Sequence, residues 1–591
     1  MIKVTKQFDF VVIGGGISGL CMAISAARNG VNTALVQNRS MLGGNASSEM
    51  RVHVNGAERG GNFRNALESG IIMEILMANK NVNPESSYHI WDTVLWEKAK
   101  FQENLELFLN TNAFDLVVED NKITKVIAVQ NTTEIEFTLE AKYFADTTGD
   151  GTISAMAGAD FTIGHEARST YNESLAPEEA NNHVMGSSCL FSMKDAGVKS
   201  PFKRPEWAYE YTREMLGKRG IPELTHGYWW IELDGEISET EDIKTELMKY
   251  LYGVFDYIKN SDHFPKEQTE NLVIDWISSI AGKRESRRVY GDYVLNQNDI
   301  DKSVRFADAV AYGGWTMDDH SVGGIKSINP QERGTIWHPI NDIYTIPYRS
   351  IYSRNINNLY IGGRCFSASH MALSSARVMA TGATMGQAAG VAVAIALREN
   401  ISPREVGQKY IDELQQRLIR DDCYIPGIPA RDDYDLVKKD QVTITASSSI
   451  PGGEATNING DYARRVDDVQ NCWISAEMTS DEWINIDFGK SISAREVVLR
   501  FDPNFSCTLI PTQSYRTRAR QPIHMPLVLV KDYVLLCEKD GNVVKEIVVN
   551  DNFQRLNKLD VSGIDFDTLK VVVKSTYGDK HARIFDIRVY E

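Results

Sequence analysis

The sequence predicts an α/β chain: a Rossmann-type parallel-sheet domain interrupted by an insertion, then an all-β sandwich. Three observations predict it. An apolar run at 10–13 leads straight into Gly14-x-Gly16-x-x-Gly19 and a helix-period stretch. A second apolar strand, at 358–361, ends in Gly362-Gly363-Arg364 far along the chain. From about Gln441 onward, short alternating or β-branched runs replace the mixed pattern.

The elements follow in order. A strand at 10–13, a helix at 17–29 closed by Gly30 and a strand at 33–36 make a βαβ start. The loop Gly43-Gly44-Asn45 comes next, then amphipathic helices near 65–77 and 91–102. After a strand at 105–109, three alternating runs at 114–119, 125–129 and 134–139 read as an antiparallel meander, with Asp120-Asn121 as a turn. A strand at 143–146 runs into Thr148-Gly149-Asp150-Gly151. Residues 164–333 are irregular and aromatic-rich, which suits a substrate domain inserted between the nucleotide-binding parts at 1–163 and 334–400. A small-residue helix at 381–397 closes the second part. A helical connector occupies 401–439, and the sandwich 440–591.

Composition excludes several classes. With 591 residues, 42% hydrophobic and 24% charged, the chain is globular and large enough for several cores. A net charge of −17 without a basic stripe opposes nucleic acid and anionic membrane, and otherwise reads as a solvated acidic surface. No secretory signal is read, and no apolar run of bilayer-spanning length. The 7 cysteines are scattered without a CxxC pair, which fits a reducing, cytoplasmic compartment. The 11 histidines show no metal-ligand spacing, so no metal is expected.

The glycine turn carries the first chemistry. Gly14 permits the tight turn, Gly16 lets a pyrophosphate approach and Gly19 lets helix pack on strand. Ile17 and Ser18 open the helix, whose N-terminus favours phosphate. The acidic residue that usually holds a ribose is absent; Gln37 stands there, with Arg39 two positions on, and either the amide accepts from a ribose hydroxyl or it merely ends the strand. Glu49, Arg51 and His53 alternate after the Gly43-Gly44-Asn45 loop. His165 and Glu166 follow the meander. Arg284, Arg287 and Arg288, with Glu285 and Tyr290, form a cationic cluster that either binds anionic groups in bidentate fashion or pairs with nearby acids as a docking network.

Taken in order, these motifs resemble the FAD-dependent oxidoreductase family, with its glutathione-reductase-type FAD fold and members labelled "xanthan lyase-related". The residues that carry the resemblance are Gly14 to Gly19, Leu42 to Asn45, Phe144 to Gly151, Gly282 to Arg288, Pro347 to Ser350, Asn358 to Cys365 and Ser369 through Arg377 to Gly390. It implies FAD as cofactor, with Gly43, Gly44, Asn45, Gly149, Gly363, Arg364 and Ala383 lining it and Asp150 near its pyrophosphate. It also implies that the helix opening near Gly382 turns its positive end to the flavin. In related folds a histidine in the region of His53 can be attached to the flavin. The stretch holding His370 passes near the flavin, which makes His370 a candidate base, with Arg349 and Arg377 as candidate holders of substrate oxygens. The C-terminal region, through Ala446 to Ser449, Trp473-Ile474-Ser475, Trp483 to Lys490 and Ile584 to Tyr590, resembles discoidin or galactose-binding-like sandwiches. The expected activity is hydride transfer between a small polar substrate, favoured as a sugar or sugar acid, and flavin N5. The alternatives are fumarate-reductase-like reduction of an activated C=C bond and a non-catalytic FAD-containing carbohydrate-binding protein.

Overall fold

A computed structural model describes residues 1–58, 63–327, 333–439 and 441–591. The βαβ start forms as read: strand Phe10–Ile13, helix Ile17–Arg28 and strand Thr33–Val36. Both strands are buried throughout, as parallel strands covered on two faces must be. They lie in a five-stranded sheet in the order Leu359–Ile361, Tyr143–Asp146, Phe10–Ile13, Thr33–Val36, Leu105–Phe108. Every neighbouring pair is parallel. The late Gly-Gly-Arg strand therefore sits beside Tyr143–Asp146, although the whole inserted region separates them in sequence.

The meander is also as read, with Thr111–Glu119, Lys122–Gln130 and Ile135–Glu140 antiparallel. Asp120 and Asn121 turn it with φ of 49° and 57°, the left-handed pair that matches hairpin twist. A strand not foreseen, Ile2–Gln7, adds to it in parallel against Ile135–Glu140. Its side chains alternate only between exposed and half-buried, so it leaves little hydrophobic signal. The helix expected at 65–77 runs instead from Ile71 to Val82, because Asn65 and Gly70 take positive φ (56° and 78°) and hold the preceding stretch out of helix.

The small-residue helix, Met379–Glu399, crosses helix Ile17–Arg28 almost backbone to backbone. A Cβ on Gly386 would lie 2.2 Å from the Ser18 carbonyl oxygen, so only glycine allows this approach. At 21 residues this helix is long and apolar enough to cross a membrane, which corrects the expectation that no apolar run has that length. Its residues 380–393 are all buried in protein, as in a core helix.

The insertion is less irregular than expected. A 21-residue helix, Thr240–Asn260, buries Leu247, Leu251, Val254 and Ile258 at the spacing of one helical face. They join Phe191, Tyr228 and Trp230 in one cluster. Short antiparallel pairs complete the region, among them Met317–His320 with Thr335–His338.

The chain forms two compact units. The first is Met1–Arg59, Ser86–Ile411 and Pro511–Ala519; the second is Gly60–Glu85, Asp412–Ile510 and Arg520–Glu591. The second holds the expected antiparallel sandwich strands. One sheet runs Thr443–Ala446, Glu482–Ser493, Asp565–Thr576, Val530–Lys539, Asn542–Val549, and the other Trp473–Ile474, Arg583–Tyr590, Glu496–Phe501, Leu556–Asp560. Ile484, Ile486 and Phe488 are buried on alternate positions while Asp487 faces out. The expected boundary at Asp440 lies outside the described residues.

Candidate active site

The strand ends and glycine loops of the first unit enclose a cavity of about 630 Å³, within the usual size of small-molecule sites. Gly14, Gly16, Ile17, Ser18, Gln37, Arg39, Gly43, Gly44, Asn45, Gly149, Asp150, Gly363, Arg364, His53 and Arg377 all line it. Residues scattered from 14 to 377 in sequence thus meet in one place.

One end is shaped for a phosphate. Gly14 turns at φ 109°, and a Cβ there would lie 2.3 Å from the Thr147 carbonyl oxygen. A Cβ on Gly16 would meet nothing within 4 Å: the space over this glycine is open, at the N-terminus of a 12-residue helix with no side-chain cap. Asp150 accepts from Arg364 Nη2 at 2.9 Å and from Lys283 Nζ at 2.8 Å. Burial alone would raise its carboxyl, but the two cations outweigh burial and hold it at about 2. One carboxylate thus sets two cations on the cavity wall, and the buried Arg364 Nε has no hydrogen-bond partner. Asn45 Nδ2 donates to the Lys283 carbonyl at 2.9 Å.

Gln37 is used twice by the protein itself. Its Oε1 accepts from the Gly15 N–H at 2.9 Å, and its Nε2 donates to the Met41 carbonyl at 3.0 Å. Arg39 lies 3.4 Å from Glu49. His53 Nε2 meets the Thr512 hydroxyl at 2.7 Å and its ring stacks on His226 at 5.3 Å. Burial first, then His226, pushes its pKa down to about 3, so His53 is a neutral ring.

The other end is a charged chamber with aromatic walls; of its residues, sequence reasoning named Arg377 and Arg284 and missed the rest. Arg377, His320, Asp318, Trp229, Trp315 and Trp337 line it. Arg377 Nη2 lies 3.4 Å from His320 Nε2 and 3.5 Å from an Asp318 oxygen. Burial is the chief cause that lowers the Arg377 guanidinium to about 10, and its Nε has no hydrogen-bond partner. Behind His320, the fully buried Glu232 shares a hydrogen bond with its Nδ1 through Oε1 at 3.0 Å, and its other oxygen lies 2.8 Å from Arg284. Burial would raise Glu232, yet His320 and Arg284 bring it below the ordinary value. These residues come from separate short segments of the insertion and of the chain after it, so no linear spacing grouped them. Only Tyr228-Trp229-Trp230 is a local signal, and it carries no period.

Several expected residues stand elsewhere. His370 does not line the cavity: it is buried, with Nδ1 2.8 Å from Glu285 and Nε2 3.2 Å from Asp319. With a carboxylate beside each ring nitrogen, His370 is held away from the cavity and presents neither nitrogen to a substrate there. Arg349 is half-exposed, ion-paired to Asp308 at 2.9 Å and laid over the Tyr293 ring, also away from the cavity. Ala383 is buried behind the lining, where Gly382 takes its place. Gly19 packs beneath the Gly14 carbonyl rather than facing the cavity. The arginine cluster divides: Arg284 reaches the cavity, Arg287 donates to the Asp150 carbonyl, and Arg288 is a buried tie to Glu166 and Glu285. His165 stacks on His370 at 3.4 Å. Together with Asp319 the pair brings ligand atoms within 4.8 Å of one another, a grouping that no sequence spacing suggested.

A family model for FAD-dependent oxidoreductases matches residues 9–418. The chain belongs to this family. Its cofactor is FAD, and the residues present fit such a group: open space over Gly16 at a helix N-terminus, two cations steadied by Asp150, and an unpartnered Arg364 Nε. The chain is 38% identical over 72 residues to glycerol-3-phosphate dehydrogenase of Mycobacterium leprae and to glycerol-3-phosphate dehydrogenase 2 of Mycobacterium tuberculosis. Each match spans only 12% of this chain and 12% of the relative. Among solved structures, a Streptococcus pneumoniae fucose-binding module is similar at 10% identity, over 27% of this chain and 97% of that one, with a TM-score of 0.20. The family 32 carbohydrate-binding module of Streptococcus pneumoniae EndoD is similar at 17% identity, over 27% and 99%, also with a TM-score of 0.20. Likeness at that score assigns no ligand to the oxidoreductase.

Proposed function

We propose that the oxidoreductase oxidises a small polar substrate, favoured as a sugar or sugar acid, in the chamber beside Arg377. Gly14 to Ser18 and Gly43 to Asn45, with Arg364 and Lys283, would hold the FAD pyrophosphate, with Gln37 and Arg39 toward the adenosine and Gly382 toward the flavin. FAD, when bound, supplies the two-electron acceptor for hydride. The protein has three other tasks: to bind substrate oxygens, orient the reacting carbon and take the hydroxyl proton.

The observation that carries this reading is Arg377, a guanidinium with an unpartnered Nε in a cavity walled by three tryptophans. A planar cation forks onto carboxylate or hydroxyl oxygens, while flat aromatic walls suit the C–H faces of a sugar ring. The scattered cysteines, without a CxxC pair, support the cytoplasmic reading.

The test is anaerobic mixing of the purified flavoenzyme with sugars, uronic and aldonic acids, and polyols. At least one sugar or sugar acid should bleach the flavin, and Arg377→Lys should raise its KM by about 10-fold or more, since lysine cannot reproduce the fork. If the whole panel leaves the flavin oxidised while dithionite-reduced enzyme is reoxidised by unsaturated acids, the substrate reading is replaced by C=C reduction.

A further inference from the structure

We propose that His320 is the proton acceptor of this site, held for the task by Glu232, with Arg377 steadying the substrate oxygen beside it. The inference rests on the oxidation reading above and assigns the residue that completes it.

The geometry begins with strand Met317–His320. Side chains alternate along a strand, so Asp318 and His320 share the cavity face while Asp319 points the other way, to His370. His320 Nδ1 lies 2.8 Å from one Glu232 oxygen and 3.0 Å from the other. An ionised carboxylate can only accept, so in the neutral ring Nδ1 carries the proton and Nε2 keeps its lone pair. Arg284 stands 2.8 Å from the same Glu232 oxygen that lies 2.8 Å from Nδ1, and its positive charge favours the ionised carboxylate. Nε2 stands on the cavity side, 3.4 Å from Arg377 Nη2 and 3.6 Å from Asp318. In this tautomer Nε2 accepts one long hydrogen bond, from Arg377 Nη2, which a substrate hydroxyl can displace.

The charges facing His320 are Glu232 and Asp318 on one side of the ledger, Arg284 and Arg377 on the other. In the reaction, a secondary alcohol becomes a ketone. FAD, when bound, would accept the hydride from carbon, while the hydroxyl proton moves from oxygen to His320 Nε2. Glu232 stabilises the resulting imidazolium, which then releases its proton to solvent. Glu232 acts through His320 and is a positioning residue.

Two measurements on the FAD-loaded protein test this. In isotope-edited histidine NMR near neutral pH, the ring whose signals vanish in His320→Gln should have Nδ1 protonated and Nε2 bare, and Glu232→Gln should abolish that preference. An Nε2-protonated or evenly mixed ring in the parent protein overturns the dyad. In anaerobic flavin reduction, His320→Gln should be slower by about 10²–10⁴-fold with its flavin spectrum kept. Glu232→Gln should be slowed less, with KM held and the rising limb of rate against pH moved toward acid. Arg349→Gln, on the exposed side, should keep the parent rate. A His320→Gln protein that reduces as fast as the parent rejects the proposal. If no substrate in the panel reduces the flavin, the oxidation reading falls by itself and the tautomer measurement alone decides the dyad.

Discussion

Asp150 holds Arg364 and Lys283 with a single carboxylate, and its value of about 2 lies below the ordinary 3.8. A depressed carboxyl contributes stability that is complete above the ordinary value and lost as pH falls toward the depressed one. Asp150→Asn should therefore cost about 2 kcal/mol near neutral pH. Urea unfolding of parent and variant should converge as pH drops from about 4 toward 2; curves that stay parallel through that window would contradict the assignment. Gln37 shows a different economy. Because its amide both accepts from Gly15 and donates to Met41, Gln37→Glu loses a donor and sets oxygen against oxygen. We expect about 1–3 kcal/mol of lost stability and no tightening of FAD, read by thermal unfolding and flavin titration. At this scale the sequence was legible wherever chemistry needs neighbours in the chain. Gly14 and Gly16 stand two positions apart in one turn. It was illegible where partners come from afar: nothing local links Glu232 to His320, and the histidine that did stand next to a recognisable motif, His370, is locked between Glu285 and Asp319.

The same contrast holds for elements. Strands Phe10–Ile13 and Thr33–Val36 and helix Met379–Glu399 announce themselves, because burial on every side demands unbroken apolar or small residues. Strand Ile2–Gln7 and helix Thr240–Asn260 do not; the first is half-solvated and the second sits among aromatic loops that mask its single apolar face. Two glycines separate packing from binding experimentally. In Gly386→Ala the new methyl would lie 2.2 Å from the Ser18 carbonyl, so two core helices must part, at about 1–3 kcal/mol. Its melting temperature should fall, and flavin should be lost along with the fold. In Gly16→Ala the methyl enters open space; the apoprotein should melt like the parent, while FAD affinity falls by 10-fold or more. Equal melting of both variants would show that the helix crossing is not tight, and parent-like FAD binding by Gly16→Ala would remove this glycine from the phosphate site.

For the molecule as a whole, the division of the chain matters more than its length. The first unit takes in Pro511–Ala519, and there Thr512 meets His53 while Ser514 donates to Glu223 at 2.7 Å. A chain cut at Ile411 would keep every flavin motif and still lack this strap. We expect such a truncation to retain less FAD and to unfold at lower temperature than the full chain; a truncated protein that binds FAD with parent affinity would show the strap to be dispensable. The strap also sets a clock. His53 and Thr512 are 459 residues apart, and at ribosomal rates of about 5–20 residues per second the later one is made roughly 20–90 s after the earlier. The nascent chain must therefore carry an unfinished cofactor chamber through most of its synthesis, so that holoenzyme yield in the cell depends on what shields that chamber, and on how soon FAD can enter it, before the last strands are made.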